Sequence, residues 1–213
     1  MNPINKEYIT SFIDDLLEDM DFLELRKYAE ENLVPIMKVE TKEFLKSLLA
    51  MKNPKSILEI GTAIGYSSLI FNKYSKAKIT TIELSEETAN IAKSNFKKYN
   101  ANINLINDDA EKALTKLNQG FDFVFIDANK SNYRYYFDYV DKNLLNDGGI
   151  IICDNILFRG EVCNDDLIEK RKITIVKRLR KFLSYITSRD DYITSIVPIG
   201  DGISLSCKGK NDE

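Results

Sequence analysis

Asp127, Lys130, Asp154 and Asn155 are the residues best suited by type and spacing to oxygen-ligand chemistry. Asp127 follows the apolar run Phe121–Ile126, and Asp154-Asn155 follows Ile150–Cys153. Short runs rich in β-branched and aromatic residues read as buried strands. The polar groups then fall at strand carboxyl ends, where open α/β sheets bind ligands. If the two strands pair in parallel, Asp127 comes within a few ångströms of Asp154-Asn155. Two carboxylates and a carboxamide make a half-shell of hard oxygens, which water or substrate can complete around a divalent cation. Asp and Asn are also common turn residues after strands, but the coincidence of all three favours the ion site. Lys130 opens the next helix, where a cation is unfavourable unless it has an anionic partner. A neutral amine there can take a proton from a hydroxyl.

The chain contains no histidine, so no imidazole serves as base, metal ligand or triad member. A metal site must be built from oxygen, which selects Mg2+, Mn2+ or Ca2+ over Zn2+. A general base must come from Lys, Asp, Glu, Tyr or Cys.

A second constellation lies upstream. Ile57, Leu58 and Ile60 read as a short strand, Gly61 and Gly65 as a tight turn, and Tyr66 to Tyr74 as a helix. A strand, a glycine turn and a helix N-terminus make a cradle that a small ligand can approach closely. The spacing is not the G-x-G-x-x-G of dinucleotide sites. Glu59 precedes the first glycine, which suits a cationic or donor-rich ligand and not a pyrophosphate. Lys78 to Glu83 reads as a second strand ending in a carboxylate, near the offset at which such folds bind a ribose. S-adenosylmethionine, with its ribose, sulfonium and ammonium, fits both carboxylates.

These residues need a sheet to hold them. The chain has 213 residues, 44% hydrophobic, enough for one domain with a full core. From Ser56 onward strands and helices alternate, the signature of an α/β fold with a parallel sheet. Helices are expected at Glu86 to Tyr99, Glu111 to Leu117, Asn132 to Leu144 and Leu167 to Thr187. Strands are expected at Ile103 to Ile106, Tyr192 to Pro198 and Ile203 to Lys208, with Gly148-Gly149 opening the strand that ends at Cys153. Before the alternation, Asn2-Pro3 can start a helix, Phe22 to Asn32 reads as a second and Thr41 to Met51 as a third. In the first helix Ile4, Tyr8, Phe12 and Leu16 recur on one face and Ile9, Ile13 and Leu17 on another, a pattern that suggests cover on more than one side, for instance by a second copy. The expected organisation is one domain, 1–213, with helices over 1–53 and the α/β core over 54–213.

A net charge of −3 gives no global sign of nucleic-acid binding. The N-terminus lacks an apolar signal core and no run is long enough to span a bilayer, so a cytoplasmic protein with no membrane partner is expected. Cys153, Cys163 and Cys207 lack metal-site spacing and read as reduced thiols.

Ile57-Leu-Glu-Ile-Gly-Thr-Ala-Ile-Gly-Tyr-Ser67, Phe125-Ile-Asp-Ala-Asn-Lys130, Asp154-Asn155 and Pro198-Ile-Gly-Asp-Gly202 resemble the cation-dependent class I O-methyltransferases, the group of catechol and caffeoyl-coenzyme A O-methyltransferases. Within it, Val34-Pro-Ile-Met37 and Val197-Pro-Ile-Gly-Asp-Gly202 are most similar to the bacterial tRNA 5-hydroxyuridine methyltransferases, which convert the wobble nucleoside to 5-methoxyuridine. The resemblance implies a Rossmann-like, seven-stranded, mostly parallel sheet with helices on both faces and an N-terminal helical extension. It implies that Asp127, Asp154 and Asn155 bind Mg2+ (or Mn2+), with Lys130 as base. It places Glu59, Gly61, Tyr66 and Ser67 at the methionine end of S-adenosylmethionine, Glu83 at the ribose, Asp109-Ala110 at the adenine edge, and Met37 and Val39 at the reactive end. It also places Asp127 beside the cofactor. The sequence departs from the branch in Asp108, where glycine is common, and in Asn129 and Ser131-Asn132 around the lysine.

The implied substrate is the anticodon region of tRNA. Seven basic residues fall within twelve positions, in Lys170-Arg-Lys172 and Lys177-Arg-Leu-Arg-Lys181, and phosphates would use such a patch. The same residues can be the solvated face of an amphipathic helix whose stripe is Ile175, Leu179, Phe182 and Ile186. A small catechol-like or phenolic acceptor is the alternative. A nicotinamide-dependent oxidoreductase would need the other glycine spacing, and a non-catalytic RNA-binding module would need neither metal nor methyl donor. A homodimer is expected from the first helix.

Overall fold

Strand and helix alternate from Ser56 onward in the computed structural model, which describes residues 6–17 and 20–209. The expected helix start at Asn2-Pro3, and Ile4 of its apolar stripe, lie outside the described residues. Among the described residues three helices come first: α1 (Glu7–Leu17), α2 (Leu23–Glu31) and α3 (Val39–Lys52). Then follow β1 (Ser56–Ile60), α4 (Tyr66–Tyr74), β2 (Lys78–Glu83), α5 (Glu86–Lys98), β3 (Ile103–Asn107), α6 (Ala110–Lys116), β4 (Phe121–Ile126), α7 (Tyr133–Asn143), β5 (Leu145–Cys153), α8 (Ile173–Thr187), β6 (Tyr192–Val197) and β7 (Ile203–Lys208). Seven strands among the described residues follow the sheet order β3-β2-β1-β4-β5-β7-β6, a mostly parallel sheet as expected.

Residues Glu7–Ala113 form one compact unit and the chain from Leu114 onward forms the other. In the first, β1, β2 and β3 pair in parallel, with Glu59 directly opposite Thr81. Its core includes Ile57, Leu58, Ile60, Ile70 and Phe71, all inaccessible to solvent. Helix α2 packs Leu25 and Ala29 onto Ile64, Tyr66 and Leu69 of the glycine turn and α4. Asp21, just before α2, is held by Lys42 at 3.1 Å, Lys73 at 2.6 Å and the Tyr74 hydroxyl at 2.9 Å. Helix α1 has no buried residue, and Tyr8, Phe12 and Leu16 are exposed.

In the second unit β4 and β5 pair in parallel, and β7 runs antiparallel to both β5 and β6. Three expectations need correction here. Strand β5 starts at Leu145 and not at the glycines, because Leu145 pairs with Phe121. A register shift between Phe121 and Phe123 follows, so Gly148, at φ 65°, sits inside the strand. Helix α8 starts at Ile173, six residues later than Leu167. Residues Asp165–Leu167 and Lys170–Lys172 form separate 3-10 turns with Ile168 and Glu169 extended between them. Asn164 caps the first turn, and the Glu169 carboxylate takes Arg171 at 2.8 Å and Lys172 at 2.6 Å. The buried stripe of α8 is Val176, Leu179, Phe182 and Ile186, with Val176 in the place expected for Ile175.

Candidate functional site

In the first unit β1 delivers the chain into the glycine turn. Gly61 has φ 103° and Gly65 φ 88°, a left-handed backbone that glycine adopts without strain. The site also needs glycine at 65 for space, since a Cβ there would stand 2.5 Å from Phe96 Cε1. Asn95 of α5 donates to the Ile64 carbonyl at 2.8 Å and fixes the turn from outside. Glu59 is inaccessible to solvent beneath the turn. Its carboxylate accepts from the hydroxyls of Ser67 and Ser68, at the start of α4, and from Thr81 at 2.6 Å.

Glu83, at the end of β2, is half-buried. One of its oxygens accepts from Ala63 N and the other from Ser85 N, both at 2.9 Å. A carboxylate has about four acceptor sites, so Glu83 braces the turn and retains capacity for a pair of hydroxyls. Asp109 caps α6, accepting from Glu111 N at 3.0 Å and Lys112 N at 3.3 Å, with Ala110 as the first helical residue. Met37 is half-buried against the cluster that contains Ile64 and Tyr66, and Val39 is the first residue of α3. The structure therefore gathers Gly61, Ser67 and Glu83 around one turn. Tyr66, 3% exposed, packs its ring beneath α2.

In the second unit the pairing of Ile126 with Cys153 sets the geometry. Asp127 and Asp154 are the next residues on each strand, so they leave the sheet side by side. Asp154 N donates to the Ile126 carbonyl at 3.0 Å, and Asn155 Nδ2 to Asp127 Oδ1 at 3.0 Å. Lys130 lies on a 3-10 turn, Lys130–Asn132, with Nζ 3.8 Å from Asp127 Oδ1. Burial, and then the negative charge of Asp127, push the Asp154 carboxyl well above the usual carboxylate range. Two crowded carboxylates, one of them buried, are relieved by a divalent cation. The oxygen-only donor set fits a hard ion such as Mg2+, though no cluster of three His, Cys, Asp or Glu groups suited to a metal occurs among the described residues. Here the third ligand would be a carboxamide.

Two residues of this cluster carried no sequence-based role. Tyr133 is fully buried and its hydroxyl donates to the Asp154 carbonyl at 2.9 Å. Asp201 accepts from Arg159 N through its side chain and from Leu157 N at 3.0 Å through its carbonyl, fastening the segment after β5. The glycines on either side of Asp201 were the legible signal. Gly200 and Gly202 both have positive φ, and a Cβ on Gly202 would stand 2.3 Å from Leu157 Cγ.

Helix α8 packs against the 3-10 turn that bears Lys130, with Phe182 edge-on to Tyr133 at 6.0 Å. Of the basic residues over 170–181, on the preceding 3-10 turn and on α8, Arg171, Lys172 and Arg180 are paired with acids. Lys170, Lys177, Arg178 and Lys181 are exposed.

A sequence-family profile described as O-methyltransferase matches residues 14–209. A Dictyostelium discoideum relative named "Probable caffeoyl-CoA O-methyltransferase 3" is 32% identical over 185 residues, covering 78% of this chain and 73% of that one. A Staphylococcus aureus crystal structure, provisionally named a caffeoyl-CoA O-methyltransferase, is 33% identical with a TM-score of 0.89, covering 95% of this chain and 100% of the other. The O-methyltransferase from Bacillus cereus in complex with SAH is 28% identical with a TM-score of 0.80, covering 94% and 97% of the two chains.

Proposed function

Because the chain belongs to the O-methyltransferase family and is an S-adenosylmethionine-dependent enzyme of that kind, we propose that it methylates 5-hydroxyuridine at the tRNA wobble position, giving 5-methoxyuridine. Asp127, Asp154 and Asn155 would hold Mg2+ or Mn2+, and Lys130 would be the base. The observation that carries this reading is the paired ends of β4 and β5, which present Asp127 and Asp154 together with Lys130 3.8 Å from the first.

A bound divalent cation would lower the pKa of the acceptor hydroxyl and offset its negative charge. The protein's own residues do the rest. Lys130 takes the hydroxyl proton, and Asp127 keeps the resulting ammonium close. Ser67 and Glu83 orient the methionine and ribose ends of the donor, so that the oxygen attacks the sulfonium methyl in line. The new O–CH3 bond forms as the S–CH3 bond breaks, and S-adenosylhomocysteine leaves. The neighbouring O4 and O5 of 5-hydroxyuridine are a vicinal oxygen pair like that of a catechol, which a cation held by Asp127, Asp154 and Asn155 would favour.

Support for a polyanionic acceptor comes from α8, whose exposed cations lie on the helix that packs against the Lys130 turn. The names of the relatives favour a second reading, a phenolic acceptor. Transfer assayed side by side on tRNA containing 5-hydroxyuridine and on free catechols decides between them. Turnover on tRNA that falls steeply with salt supports the first reading. Turnover confined to catechols supports the second.

We also propose a homodimer through the uncovered apolar residues Tyr8, Phe12 and Leu16 of α1. Light scattering tests it, and a monomer at working concentration would exclude it. No helix among the described residues is long and apolar enough to cross a membrane.

A further inference from the structure

Strand β2 reads Lys-Ile-Thr-Thr-Ile-Glu, and its four central residues are buried. A parallel strand covered on both faces normally reads as a continuous apolar run. A buried hydroxyl without a hydrogen bond costs about 1–3 kcal/mol, so Thr81, inaccessible to solvent, needs a reason to be there.

The hydrogen bonds supply one. Thr81 faces Glu59 across the β1–β2 ladder and donates its only hydroxyl proton to Glu59 Oε2 at 2.6 Å. Thr62, in the glycine turn, lies 2.6 Å from the same Thr81 oxygen. Since the Thr81 proton is committed to Glu59, Thr62 must be the donor of that pair. Ser67 and Ser68 also donate to Glu59. A carboxylate only accepts, so each of these hydroxyls spends its proton inward and can offer only lone pairs elsewhere. Ser68 is sealed in the core, whereas Ser67 is half-buried and lies at the opening of the turn.

We propose that Thr81 and Glu59 are positioning residues for the methyl donor. By taking up the Ser67 proton they fix Ser67 as an acceptor for the ammonium group of S-adenosylmethionine. Glu59, at zero exposure beneath the turn, acts on the donor through Ser67. Thr81 holds the carboxylate in the rotamer that serves Ser67, and its bond from Thr62 ties that rotamer to the path of the glycine turn. The inference rests on the reading that Ser67 meets the methionine end of the donor.

The test compares two ligands that share an adenosine and a thioether. S-adenosylhomocysteine has the amino-acid end and 5′-methylthioadenosine lacks it. Calorimetric affinities would be measured on the full chain for the wild type, Ser67→Ala, Thr81→Val and Thr81→Ser. Thr81→Val and Ser67→Ala should each weaken S-adenosylhomocysteine about tenfold, the worth of one hydrogen bond to a charged group, and change 5′-methylthioadenosine by less than about twofold. Thr81→Ser should restore wild-type affinity. Thr81→Val weakening both ligands equally, or neither, overturns the proposal. If Ser67→Ala fails to discriminate between the ligands, the reading of Ser67 falls, and the proposal with it. If Ser67→Ala discriminates and Thr81→Val does not, only the proposal falls. Should Thr81→Val not fold, Glu59→Gln takes its place with the same expected discrimination, and equal losses on both ligands again count against it.

Discussion

Asn155 donates its carboxamide N–H to Asp127 Oδ1 at 3.0 Å, joining two residues that stand 28 positions apart in sequence. The contact exists because β4 and β5 run parallel with Ile126 opposite Cys153. Asp127, Asp154 and Asn155 thus form one cluster, and the tests below begin there.

Asp154→Ala should lower methyl transfer by more than the ten- to hundredfold, roughly, that is lost when a supporting residue of a metal site is removed. S-adenosylmethionine binding should persist. Calorimetry with Mg2+ and Mn2+ would show whether divalent binding disappears with the side chain. Retained cation binding in that variant would remove Asp154 from the ligand set.

Reversing charge on α8 separates the two acceptor classes. Lys177→Glu, Arg178→Glu and Lys181→Glu together should raise KM for tRNA and flatten its salt dependence, by a slope of roughly 0.7–0.9 for each phosphate contact removed. Turnover of a small catechol should not respond to these changes. Equal effects on both substrates would point to damage to the fold.

Gly65→Ala places a methyl group 2.5 Å from Phe96 Cε1 at a position with φ 88°. The combined strain should destabilise the protein by about 1–3 kcal/mol and weaken donor binding, because the turn has to move. Chemical denaturation and donor calorimetry on the same sample measure both effects.

Acid should act through Asp21. Burial alone would raise its carboxyl, but hydrogen bonds from Lys73, Lys42 and Tyr74 outweigh burial and hold it at about 2. A depressed carboxyl stabilises the fold fully above its unfolded value, and that contribution is lost as pH falls through the folded value. The loss should therefore develop from an unfolded value of about 4 downward through the folded value of about 2. Asp21→Asn should remove that part of the pH dependence and, by weakening a charged hydrogen bond to Lys42 (1% exposed) while Glu43 still faces it at 3.1 Å, cost about 1.5–3 kcal/mol at neutral pH. Denaturant melts across this range for both proteins provide the check.

The parts of the site that could be read in the sequence are those with strong local signals. The glycine turn and the Asp after each apolar strand stand where spacing alone placed them. What could not be read depends on contacts distant in sequence. The early start of β5 follows from Leu145 meeting Phe121. The late start of α8 follows from Asn164 and Glu169 capturing nearby donors. The burial of Glu59 under three hydroxyls needs Thr81 of the next strand, and nothing at Glu59 itself announces it.

The most direct test is methyl transfer from labelled S-adenosylmethionine to tRNA carrying 5-hydroxyuridine, with the chain first freed of divalent ions by a chelator and then supplied with Mg2+. The expected result is no transfer after chelation and one methyl group per wobble nucleoside once Mg2+ returns, with Asp154→Ala inactive in both conditions. Transfer that proceeds equally with chelator present would contradict the ion site formed by Asp127, Asp154 and Asn155.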